Sequence, residues 1–114
     1  MHELSIIASL FDILVEKAKE QNAKKVVRVV LQVGKLSGVV PDFLESSFEI
    51  YRKGTLAEEA VLEIASVPLK LRCQSCSTEF VKDDYIFSCL ACGSTDLKIL
   101  GGTELLLEKI ELEL

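Results

Sequence analysis

The chain has 114 residues, a formal net charge of −5, and 49% hydrophobic against 27% charged residues, which suits one domain with a small inserted module and a real core. That size and composition exclude a large multidomain enzyme and a disordered chain. The longest stretch free of Asp, Glu, Lys and Arg runs only from Tyr85 to Thr95, too short for a membrane helix. The acidic balance also disfavours coating nucleic-acid phosphates, so neither a membrane nor a nucleic acid is expected as a partner. The opening MHELSIIASLF lacks the basic leader and cleavage site of a signal peptide. A cytoplasmic location is therefore expected, and disulfides are not.

From Leu4 to Ala18 the apolar residues Leu4, Ile7, Ala8, Phe11, Leu14, Val15 and Ala18 recur in steps of three and four, which predicts an amphipathic helix fading near Asn22. Val27, Val29, Leu31 and Val33 then alternate with Arg28, Val30 and Gln32 up to Gly34, the pattern of a strand. Pro41 suits the first position of a second helix running to Gly54, with Asp42 and Glu45 near its start and Arg52 and Lys53 near its end. Alternation returns from Val61 to Cys73 and reads as one strand interrupted by Pro68. The tail after Gly101 and Gly102 ends with Ile110, Leu112 and Leu114 between Glu111 and Glu113, a half-buried strand.

The predicted class is α/β: a small mixed domain of two helices packed on a roughly three-stranded sheet, with an inserted four-cysteine module. Residues 1–68 plus 98–114 form the discontinuous first domain, and residues 69–97 form the module. The strands entering and leaving the module, near Leu69 and Lys98, are expected to pair.

Cys73 and Cys76 are separated by two residues, as are Cys89 and Cys92, with twelve residues between the pairs. This spacing lets four thiolates close a tetrahedral cage around a structural zinc ion, with no open position for substrate or water. Lys70, Arg72, Lys82 and Lys98 lie near enough in sequence to offset the formal −2 of such a cage. A thioredoxin-like redox pair would need a thiol at a helix N-terminus, whereas Cys73 follows a strand pattern. A nucleic-acid ribbon would need a basic groove, whereas residues 69–97 sum to −1. Phe80, Tyr85 and Phe87 are then expected to form the module's own core.

His2 is the only histidine. A lone histidine usually has no role, but at position 2 its imidazole, the α-amino nitrogen and the intervening backbone nitrogen can reach one metal together. A further backbone nitrogen or a carboxylate can complete a tetragonal set that suits Ni(II) or Cu(II). Glu3 has an alternative reading as an acidic residue favoured at a helix start.

These features together resemble the HypA/HybF family of hydrogenase-maturation nickel metallochaperones. The resemblance covers essentially the whole chain. It rests on Met1-His2-Glu3-Leu4-Ser5, on VVRVVLQVGKLSGV within residues 26–39, on PDFLESSFE at residues 41–49, on the paired CxxC motifs, and on the GxEL of Gly102 to Leu105. It implies that residues 1–68 plus 98–114 are a nickel-binding domain, with nickel held as transient cargo by Met1, His2 and Glu3. It implies structural zinc on Cys73, Cys76, Cys89 and Cys92, with no catalytic residues and no enzymatic turnover. The partners it implies are a HypB GTPase, the [NiFe]-hydrogenase large subunit and urease maturation proteins. Some members of that family carry histidines beside the zinc cysteines; Ser77, Thr78 and Gly93 stand there in this chain, so exchange of thiolate for imidazole is not expected. The competing reading is a zinc-stabilised protein-interaction adaptor without nickel delivery. An enzyme is disfavoured because there is no second histidine, no GxxxxGK[ST] loop and no GxSxG elbow.

Overall fold

A computed structural model describes residues 3–114. It contains α1 (Glu3–Glu20), β1 (Lys25–Gly34), α2 (Pro41–Tyr51), β2 (Val61–Val67), β3 (Leu69–Cys73), β4 (Glu79–Lys82), β5 (Leu97–Gly101) and β6 (Leu105–Glu113). The strands form two sheets of three, in the orders β2-β1-β6 and β4-β3-β5. Two helices and a three-stranded sheet are thus as expected, and the cysteine region brings a second sheet of its own.

The chain divides into two compact units, each built from discontinuous segments. The first comprises Met1–Gln32, Val39–Ala65 and Leu106–Leu114, and the second Val33–Gly38 and Ser66–Leu105. The unit carrying the cysteines includes the turn after β1.

In the first unit α1 buries Ile7, Leu10, Phe11, Leu14 and Ala18, one stripe at helical spacing. Leu4, read as part of that stripe, is 52% exposed. The helix ends where Asn22 takes a φ of 53°, a conformation asparagine tolerates better than most residues. Helix α2 starts with Pro41 in its first turn and buries Leu44 and Phe48, one turn apart. It stops at Tyr51 rather than Gly54, so Arg52 is its C-cap and Lys53 lies in the following turn. The Phe11 ring meets Phe48 at 5.5 Å and Tyr51 at 5.1 Å between centroids, tilted contacts that join the two helices.

Strand β1 is buried more deeply than simple alternation predicts, because Val29, Val30 and Leu31 are all buried while Val27 is exposed. Its Arg28 lies between two neighbouring strands, donating to Glu63 of β2 at 2.6 Å and to Glu111 of β6 at 2.7 Å. Residues 61–73 are two strands in different sheets, not one interrupted strand. Pro68, lacking an N–H, falls between them.

In the second unit β3 pairs antiparallel with β4 and with β5, Arg72 facing Lys98 and Cys73 facing Leu97 in the latter ladder. The expected pairing of the strands that enter and leave the cysteine region is therefore present. Two quoted sequence motifs meet here. A Cβ on Gly34 would fall 2.3 Å from the Gly102 carbonyl oxygen, and one on Gly102 would fall 2.9 Å from the Leu69 Cα, so glycine is required at both places. Leu36 N donates to the Gly102 carbonyl, and Gly102 N donates to the Glu104 carboxylate, each at 2.6 Å. That last bond holds the Glu104 carboxyl below its ordinary range, and it gives the GxEL motif a structural reason.

Candidate metal centre

Strand β3 delivers Cys73, and a tight turn follows it. The Cys73 amide donates to the Thr78 carbonyl at 2.9 Å, and the Ser77 amide donates back to the Cys73 carbonyl at 2.8 Å. The second CxxC repeats the turn: the Cys89 amide donates to Ser94 at 2.8 Å, and the Gly93 amide to Cys89 at 2.9 Å. Each turn closes through a positive φ, 64° at Ser77 and 75° at Gly93. The Cys76 amide points at the Cys73 sulfur and the Cys92 amide at the Cys89 sulfur, both at 3.4 Å, with the Ala91 amide 3.3 Å from the latter. The two knuckles are tied by a Ser75–Ser94 hydroxyl contact of 3.0 Å and by a 2.8 Å bond from the Gln74 amide to the Asp96 carbonyl.

The result is a compact cluster in which all four sulfurs lie within 4.8 Å of one another. Across the knuckles, Cys73 Sγ is 3.6 Å from Cys92 Sγ and Cys76 Sγ is 3.6 Å from Cys89 Sγ. A regular tetrahedron of sulfurs about 2.3 Å from a central zinc ion has edges of about 3.8 Å, so the donor set matches such an ion in number, type and spacing. Cys73 and Cys89 are buried and Cys76 and Cys92 exposed, placing one face of the cluster at the surface.

The electrostatics point the same way. The Thr78 hydroxyl, 3.2 Å from Cys76 Sγ, and the Thr78 backbone lower the Cys76 thiol to about 6. The Cys76 amide lowers Cys73. Although the Ser94 amide favours its thiolate, Cys92 is pushed up to about 12 by the Cys73 sulfur, by partial desolvation of its own sulfur and by the other two thiols. Four thiolates this close oppose one another's ionisation, and a divalent cation removes that opposition.

The charge compensation expected from nearby lysines and arginine is arranged differently. Lys70 and Arg72 pair with Glu79 at 3.8 and 2.9 Å, while Lys82 is buried against Asp84 and the Ile86 carbonyl. Backbone amides aimed at sulfur take over part of that role. Tyr85 and Phe87, expected in the module's core, are 61% and 41% exposed. Of residues 69–97 the buried apolar ones are instead Leu69, Leu71, Cys73 and Cys89, so two of the four sulfur-bearing side chains stand in its small core. Tyr85 is held instead by its hydroxyl and its ring face, donating to the Lys35 carbonyl at 3.1 Å with the Lys35 ammonium over the ring, 5.1 Å from its centroid.

Of the expected nickel ligands, Met1 and His2 lie outside the described residues. Glu3 opens α1 and is 4% exposed, and its Oε2 accepts a 3.2 Å bond from the Val40 amide at the start of α2. Sequence reading anticipated a helix-start role for Glu3 but not that the helix concerned would be α2. The signal available was the absence of any Ser, Thr, Asp or Asn at position 40, ahead of Pro41. No helix among the described residues is long and apolar enough to cross a membrane.

Residues 1–112 match the family model described as hydrogenase/urease nickel incorporation, metallochaperone, HypA. The chain is 41% identical to the hydrogenase maturation factor HypA of Aquifex aeolicus over 99% of its own length and 98% of that protein. It is 40% identical to the factor of the same name from Wolinella succinogenes, covering 99% and 96%. Among solved structures it resembles the nickel metallochaperone HypA from Helicobacter pylori, at 32% identity and a TM-score of 0.67, covering 99% of this chain and 98% of that one. A second HypA solution structure matches at 32% identity and a TM-score of 0.70, covering 98% and 96%.

Proposed function

Because the chain belongs to the HypA family of hydrogenase/urease nickel-incorporation metallochaperones, we propose that it binds Ni(II) at its amino terminus and delivers it for [NiFe]-hydrogenase maturation. Family membership over essentially the whole length is the observation that carries this reading. Relatives of this family are metallochaperones rather than enzymes, and nickel is cargo rather than a resident cofactor.

In this proposal Met1, His2 and Glu3 hold nickel, through the α-amino nitrogen, the imidazole and backbone nitrogens. An open site at a chain end has few ligands and no closed cage, so it can bind nickel and surrender it to a deeper site on a recipient. Cys73, Cys76, Cys89 and Cys92 hold zinc, which orders residues 69–97 and takes no part in transfer. The segments 1–68 plus 98–114 act as the nickel-binding domain. The proposed location is the cytoplasm, where thiolates remain reduced. The proposed partners are a HypB GTPase and the hydrogenase large subunit, with urease maturation proteins as further recipients.

The test is a comparison of native protein with protein acetylated on its α-amino nitrogen, both loaded with zinc. Delivery from the terminus predicts stoichiometric nickel binding by the native form and its loss on acetylation, with zinc content unchanged. Equal nickel binding by both forms would contradict a terminal site and favour the adaptor reading.

A further inference from the structure

Lys82 closes β4, where it stands opposite Leu69 of β3 in the ladder, and its side chain is only 7% exposed. A lysine so far removed from water requires partners for its ammonium. They lie along its own chain: the Ile86 carbonyl accepts a hydrogen bond from it, and Asp84 Oδ1 is 3.4 Å away. The same Asp84 oxygen accepts a 2.9 Å bond from the Ile86 amide. That amide and the Lys82 ammonium hold the Asp84 carboxyl below its ordinary range. Lys82, Asp84 and Ile86 thus close a ring of contacts at the head of residues 83–88, which belong to no helix or strand. Tyr85, inside that ring, adds the tie to the Lys35 carbonyl.

The second knuckle begins at Cys89, directly beyond this segment. On its far side it is held by the Ser75–Ser94 contact, the Gln74–Asp96 bond and the pairing of Cys73 with Leu97. On its near side the path from β4 is ordered through side chains. We infer that Lys82 is a positioning residue of the metal centre: with Asp84 it braces residues 83–88 and so holds Cys89 and Cys92 within reach of the ion that Cys73 and Cys76 share. Bracing the segment between the cysteine pairs lowers the ordering cost of bringing the donors together. This differs from the counter-charge role that sequence suggested for Lys82, because its ammonium meets a carbonyl and a carboxylate rather than sulfur. The inference goes beyond nickel delivery, and it rests on the reading that the four cysteines hold zinc.

The experiment follows zinc release to a chelator, together with amide hydrogen exchange, in zinc-loaded wild type, Lys82→Met and Asp84→Ala. Methionine keeps an apolar stem without the ammonium, and Asp84 is exposed, so alanine there leaves the core intact. A brace predicts zinc release about tenfold faster in Lys82→Met and about threefold faster in Asp84→Ala. The Ile86 amide is expected to exchange faster in both, with protection of α1 and α2 unchanged. The double variant is expected to release zinc no faster than Lys82→Met, because both substitutions break one ring. If Lys82→Met does not fold, Asp84→Ala decides alone. A counter-charge role predicts the opposite sign there, since removing a negative charge near the thiolates favours the bound cation. Slower release by Asp84→Ala would therefore overturn the inference, and so would release at the wild-type rate by both single variants. Wild type that holds no stoichiometric zinc would remove the metal centre itself, and this role for Lys82 with it.

Discussion

The two knuckles around the cysteines obey the same geometry with different residues at the same place. Gly93 and Ser77 both occupy the left-handed region, where a residue with a Cβ pays a steric penalty that glycine does not. Gly93→Ala is therefore expected to destabilise the metal-loaded protein by about 1 kcal/mol, read as a lowered melting temperature. Ser77→Gly should be neutral or stabilising by less than about 1 kcal/mol, because relief of strain is offset by the greater freedom of glycine in the unfolded chain. Equal losses in both variants would contradict this reading. The cysteine spacing made the cluster readable from sequence, and so did Gly93 as a turn residue. Ser77 carried no such signal, since serine is common in every kind of loop. Likewise the lysines and Arg72 were visible as charges, but their commitment to Glu79 and Asp84 depends on strand register and loop path rather than on sequence distance.

At the level of elements, the helix pair and the first sheet carry the core of their unit. Phe48 is 1% exposed and contacts the Phe11 ring, so Phe48→Ala is expected to cost about 3–5 kcal/mol in a denaturant titration. A loss below about 1 kcal/mol would mean that the helices do not depend on that contact. Arg28 links all three strands, and its guanidinium holds the Glu63 and Glu111 carboxyls below their ordinary range. A carboxyl lowered in the folded state adds stability above its unfolded value and loses it as pH falls through the folded value. Carbon chemical shifts of these two carboxyls should accordingly titrate below ordinary glutamates, and should return to the usual range in Arg28→Met. Midpoints unchanged by that substitution would contradict the pairing. The helices and β1 were readable because their apolar periods are long. Residues 61–73 were not resolved into two strands, since alternation continues through Pro68 and sequence alone does not say which sheet each half joins. The deep burial of Val30 also escaped simple alternation, which assumes one solvent-facing side along the whole strand.

At the level of the whole molecule, the two units differ in what holds them together. The first has a buried helix stripe, while the second has few buried apolar residues and relies on a four-sulfur centre. Removing metal with a chelator is expected to abolish amide protection across residues 66–105 and to leave that of α1 and α2 in place. Loss of protection everywhere at once would contradict separate sources of stability. The grouping of residues 33–38 with the cysteine-bearing unit was not legible in the sequence, because it depends on the close approach of Gly34 to Gly102. The family was readable because the Met1-His2-Glu3 opening and the cysteine pairs occur in one chain; either alone is common. The central measurement is a nickel titration of tag-free, zinc-loaded protein, followed by calorimetry and d–d absorption, with wild type set beside His2→Ala. A nickel chaperone with a terminal site predicts stoichiometric binding that the substitution abolishes while zinc content stays the same, and equal nickel binding by the two proteins would contradict it.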